Sequence, residues 1–129
     1  MKLNPDCIRD ILIFCEDHLS LDSNLKLQIA GLKDVCEALP DYPREEIAYT
    51  IKKLNEAGYV NAIINFSNNE IYMLKIIELT YEGHEFIDTI RSKNVWDKVS
   101  NVISDISSIS LPVLQQIGSQ VLLSLLSSQ

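Results

Sequence analysis

This 129-residue sequence predicts a mainly α-helical fold with one small antiparallel sheet. Three observations carry that prediction. Apolar residues recur at three- and four-residue spacing through most of the chain. Only one pair of adjacent segments is rich in strand formers, and a short polar turn joins them. The composition, 47% apolar and 22% charged, belongs to a chain that folds around a core, and a length below about 150 residues indicates one folded unit.

The first helix is expected from about Pro5 to His18, with Asn4 as N-cap, Pro5 at the first helical position and Asp6 at the positive end of the dipole. Ile8, Ile11, Leu12 and Cys15 form its inward stripe. Leu25 to Ile29 alternates apolar with polar between Asp22-Ser23-Asn24 and Gly31, the pattern of a short half-buried strand. Leu32, Val35, Cys36 and Leu39 then space a second helix, which Pro40 stops. A third helix, about 43–57, has Glu45 and Glu46 in its first turn, Ile47, Ile51 and Leu54 inward, and Gly58 as its stop.

Tyr59 to Phe66 and Ile71 to Glu78, separated by Ser67-Asn68-Asn69-Glu70, read as a β-hairpin. Thr80 caps a fourth helix whose buried face is Phe86, Ile87 and Ile90, and Gly83 in its first turn signals close backbone packing. Two amphipathic segments close the chain, about Val95 to Ile106 and Leu111 to Leu126, with Pro112 suited to the first turn of the last. Trp96, with Phe86 and Tyr81, is expected to anchor the fourth helix to these C-terminal helices.

In that order the elements spell a winged helix-turn-helix with a C-terminal helical extension: three helices and a short strand, then a two-stranded wing. The expected organisation is a winged-helix unit over 1–92, with its wing at about 59–78, and packing or dimerisation helices over 93–129. Helices two and three would be the helix-turn-helix, with helix three in the recognition position.

Asn4 to Leu12, Glu45 to Tyr49, Leu54 to Val60 and Leu79 to Arg91, followed by Trp96 and an apolar C-terminal helix, resemble a family of small uncharacterised bacterial and prophage proteins, a domain of unknown function. The resemblance spans nearly the whole chain. It implies a winged-helix module and a mobile-element setting, and no activity.

Charge bears on what such a module could bind. Eleven basic against eighteen acidic residues leave a net −7, which argues against loose charge-driven binding to nucleic acid. The deficit is uneven: residues 1–42 carry a net −4, whereas Pro43 to Ala57 is neutral, with Arg44, Lys52 and Lys53 against Glu45, Glu46 and Glu56. A contact to double-stranded DNA would therefore be local, made by Arg44, Tyr49, Lys52 and Lys53, with Lys75 on the wing reaching a phosphate. The alternative is a non-catalytic protein-interaction module in which Lys52 and Glu56 merely pair along a solvated helix face.

Other classes find little support. No phosphate-binding or catalytic motif is present, so no enzyme and no cofactor are expected. Cys15 and His18 are only half of a metal site, so no metal is expected. Three cysteines without a CxxC pair and no secretory leader suit reduced thiols in a cytoplasm. The Leu111 to Leu126 stretch is too interrupted by Gln and Ser to span a bilayer, and without a basic polar face it does not suit a membrane surface. Its seam of Leu114, Ile117, Val121 and Leu125 is broad enough to suggest a homodimer.

Overall fold

A computed structural model describes residues 1–127. Its elements are α1 (Pro5–His18), β1 (Ala30–Gly31), α2 (Leu32–Ala38), α3 (Arg44–Glu56), β2 (Val60–Ser67), β3 (Glu70–Leu79), α4 (Tyr81–Ile90), α5 (Lys93–Ile103) and α6 (Leu111–Ser127). The fold is thus mainly helical with one three-stranded antiparallel sheet, ordered β1-β3-β2. One continuous core lies beneath α1, α3, α4 and the inner face of that sheet, with Ile8, Ile11, Leu12, Ile47, Ile51, Ile76, Phe86 and Ile90 sealed from solvent.

The local signals work as their chemistry requires. The Asn4 side chain accepts from the Asp6 amide at 3.0 Å, and its amide nitrogen donates to Glu46 at 2.9 Å, so the N-cap of α1 is also tied to α3. Gly58, at φ 85°, ends α3: its amide donates to the Asn55 carbonyl and the Tyr59 amide to the Leu54 carbonyl, satisfying carbonyls the helix leaves open. The hairpin turns on Asn68 and Asn69, both at positive φ, the pair of left-handed residues a two-residue turn needs.

Gly83 explains how the sheet meets α4. Thr80 Oγ1 accepts from the Gly83 amide at 3.0 Å and donates to the Gly58 carbonyl at 2.5 Å. This draws the first turn of α4 against the start of β2, where a Cβ on residue 83 would stand 2.0 Å from the Tyr59 carbonyl oxygen. Only a residue without a Cβ fits.

Two expectations are corrected. Leu25 to Ile29 is not a half-buried strand: all five residues are exposed, Leu25 sits at φ 63°, and the strand that pairs with β3 is the two-residue Ala30–Gly31. An Asp22-centred turn folds the segment back on itself, with Leu27 opposite Leu21. Tyr81 takes no part in a Trp96 anchor; the Trp96 Nε1 donates to Asp6 at 2.9 Å and its ring lies under Arg9, joining α5 to the start of α1. Tyr81 is exposed and Phe86 pairs with Tyr59.

α6 lies on α4 and α5: Leu114 is fully buried, while Ile117, Val121 and Leu125 are half-buried against the chain's own core. Gly118 brings α6 so near α4 that a Cβ there would be 2.7 Å from Ile90 Cγ2.

Two predictions follow from this packing. Gly83→Ala is expected to destabilise the fold by about 3 kcal/mol in urea titration, since the clash is with backbone and not with a side-chain tip. Burial pushes the Cys7 thiol up to about 11, with the Glu46 and Asp10 charges adding to the rise, and pushes Cys15 up to about 12, both from an ordinary 9.0. The folded state then holds protons that the unfolded chain releases, so this stability is complete below pH 9 and is lost as pH rises through the folded values. Urea midpoints from pH 8 to 11.5 should fall accordingly, and a thiol reagent at pH 8 should label Cys36 alone until the chain is unfolded.

Candidate functional site

The side chains singled out on the third helix fall on one surface only in part. Arg44, Glu45, Ala48, Tyr49 and Lys52 lie along the outer side of α3, facing the inner side of the hairpin tip, where Phe66, Glu70 and Ile71 complete an open groove of about 590 Å³. Met1 and Leu32 close its remaining wall. The helical period places these α3 residues together, since Arg44, Ala48 and Lys52, and Glu45 and Tyr49, are each four apart.

Lys53 lies beside the groove and not in it. Its ammonium is 5.6 Å from the Tyr49 ring centroid and 3.0 Å from Glu56 Oε2, while Lys52 Nζ is 2.5 Å from Glu56 Oε1. One carboxylate therefore bridges both lysines. Hydrogen bonds from Lys52 and then Lys53 hold the Glu56 carboxyl below its ordinary value, and the same bond raises Lys53. Of the cations, Arg44 alone reaches the groove rim exposed and without an ion pair among the described residues.

Lys75 stands apart. It is exposed on β3, opposite Ile63 of β2 and Gly31 of β1, and alternates with the buried Leu74 and Ile76. The pleat therefore sends Lys75 to the outer face of the sheet, away from α3. A single positive strip through Arg44, Lys52, Lys53 and Lys75 does not form on one chain.

The apolar contributors to the groove, Met1, Leu32, Phe66 and Ile71, were not legible as a site. Phe66 and Ile71 sit at the strand ends, Ile71 at the edge of the core and Phe66 exposed, beside a register shift in the pairing. The available signal was the position of Phe66, an aromatic directly before the polar Ser67-Asn68-Asn69-Glu70 turn.

What carries the groove is a frame of polar ties. Tyr42 donates to Asp10 at 2.6 Å, fixing the α2–α3 connection on α1, and desolvation and that bond push the phenol well above its ordinary value. Asn55 Oδ1 accepts from the Ala62 amide at 2.9 Å, fixing α3 on β2. Thr50, fully buried on α3, donates to the Glu46 carbonyl. Among the described residues no group of His, Cys, Asp and Glu is arranged to hold a metal, and no helix is long and apolar enough to cross a membrane.

Comparison with known proteins adds a lineage. A family described as "Hypothetical protein (DUF2513)" matches residues 2–110. A protein of Haemophilus influenzae, described only as uncharacterized, is 32% identical over 123 residues, which are 95% of this chain and 96% of that protein. No solved structure matches the chain.

The Trp96 contact ties α5 to α1. Trp96→Phe keeps an aromatic ring but a smaller one and removes the donor to Asp6, and is expected to cost about 1–2 kcal/mol in thermal or urea unfolding.

Proposed function

We propose that this chain, which belongs to the DUF2513 family of hypothetical proteins, is a non-catalytic winged helix-turn-helix protein that binds double-stranded DNA through α3 and the β2–β3 wing. The observation that supports this reading is topological. The order α1, β1, α2, α3, β2, β3, with β3 central in a β1-β3-β2 sheet, is the order of a winged helix. It leaves the outer side of α3 uncovered and beside the hairpin, where such a fold presents a helix to the major groove.

The electrostatics set the mode of binding. Glu56 ties both lysines of α3, so attraction to phosphate is weak until Lys52 and Lys53 are released from it. Binding of this kind is selective more than avid, and the role it fits is that of a transcriptional regulator.

A second reading is favoured by one observation: the groove is lined by the apolar Met1, Leu32, Phe66 and Ile71 together with Glu45 and Glu70 as well as Arg44. An apolar lining with charges of both signs is a feature of a protein-docking surface.

Fluorescence anisotropy with a panel of duplexes at about 50 mM salt separates the two. On the DNA reading, Lys52→Glu and Lys53→Glu weaken binding, whereas Glu56→Gln strengthens it several-fold and steepens the salt dependence by about one counterion. Absence of any duplex binding that these substitutions alter would sink the DNA reading and leave the docking one.

A further inference from the structure

The sequence from Leu25 to Ile29 has the apolar alternation of a strand that buries one face, yet the fold buries none of it. Leu25 is 79% exposed, Leu21 58%, Ile29 52% and Leu27 39%. Leu21 and Leu27 form an antiparallel bridge, closed by Asp22 N to Lys26 O at 2.9 Å and Gln28 N to Ser20 O at 3.2 Å. In a bridge of that pattern the two side chains stand next to each other on one face.

The tip of this small hairpin is held in a conformation its residue does not favour. Asp22 accepts from the Asn24 amide at 2.8 Å and the Lys26 amide at 3.0 Å, and the Leu25 amide donates to the Asp22 carbonyl. These bonds put Leu25 at φ 63°, where a three-residue hairpin loop ordinarily uses glycine or asparagine. A bulky apolar residue held left-handed and 79% exposed adds little to the packing of this chain. Backbone strain of this sort tends to persist where the side chain has a binding role.

Beside the hairpin runs a groove of about 510 Å³, floored by Phe14, Leu19 and Ala30 and walled by Ile29. Its rim carries the carboxylates Asp34 and Glu37, with His18 stacked on Phe14 at 4.4 Å. Over residues 16–37 there are five acids and two bases, and Lys33 already lies 3.9 Å from Glu37. The groove shares no lining residue with the α3–wing groove, so both surfaces can be used at once.

We infer that the Leu21–Ile29 hairpin and its adjoining groove form a docking surface for an amphipathic basic segment of another protein. Leu25, Leu27 and Ile29 would be its apolar anchors, and Asp34 and Glu37 would receive its Lys or Arg side chains. The occupant is specified by charge complementarity: nucleic acid and anionic lipid are repelled by the acidic rim, and an acidic peptide is too. This inference does not depend on what α3 binds.

The test uses the full chain and a defined probe, a short amphipathic helical peptide of Leu and Lys, with its Leu and Glu twin as control. The Leu/Lys peptide is expected to bind at least tenfold more tightly, with amide shift changes centred on residues 18–38 and an affinity that falls with salt. Leu25→Asn relieves the strained position, so it should leave the thermal midpoint unchanged or raised while weakening the peptide several-fold; adding Leu27→Asp should weaken it further. Equal binding of the twins, shifts centred elsewhere, no binding of the Leu/Lys peptide, or affinity unchanged in a folded Leu25→Asn protein would each overturn the inference.

Discussion

The contact between Gly83 and the Tyr59 carbonyl is the constraint on which the remaining architecture depends. Tyr59 receives the Thr80 amide on its backbone at 3.2 Å, packs its ring on Phe86 at 4.9 Å and donates its hydroxyl to Gln115 at 2.8 Å. One residue thus joins the end of α3, the start of β2, the first turn of α4 and the N-terminal part of α6. Because the missing Cβ of Gly83 lets α4 sit directly on this carbonyl, the hairpin base and the helical extension are registered to each other without any linker.

From that joint the positions of the functional surfaces follow. The hairpin base is fixed by Thr80 and Gly58, and its tip lines one groove with the outer side of α3. Arg9 secures the opposite side: its guanidinium donates to the Ile90 carbonyl at 2.8 Å and the Arg91 carbonyl at 2.6 Å, capping α4, while it covers the Trp96 ring. Arg91 in turn pairs with Glu16 and Asp88. Two of the basic residues of an acidic chain are therefore used to lock helices together, and Lys52 and Lys53 are held by Glu56. The surface left to meet a partner is less positive than a count along α3 suggests.

The sequence conveys local structure well here because the signals are local. Asn4, Pro5, Gly58, Asn68-Asn69, Thr80 and Gly83 each act within a few residues of where they stand, and each sits at the boundary its chemistry predicts. The α3 side of the candidate site is legible for the same reason, since the helical period groups Arg44, Tyr49 and Lys52. The hairpin side of it is not, because which face Phe66, Ile71 and Lys75 adopt depends on register and on a shift in the β2–β3 pairing. Leu25 to Ile29 shows the same limit: alternation announces a face that wants cover, not whether this chain supplies it.

The sequence by itself determined the fold class, the element order and almost every helix boundary, since spacing, caps and turn residues act through short-range backbone geometry. Tertiary structure alone decided three things. Trp96 is bonded to Asp6 and lies under Arg9, ninety residues or nearly so away in the chain. α6 came to lie on α4, because Gly118 allows it to close on Ile90. The segment before β1 stayed outside, because only Ala30 and Gly31 lie opposite Ile76 and Lys75. Each is a choice among surfaces of similar apolarity, and such choices are settled by which shapes and hydrogen bonds fit across the fold, a property no window of sequence contains.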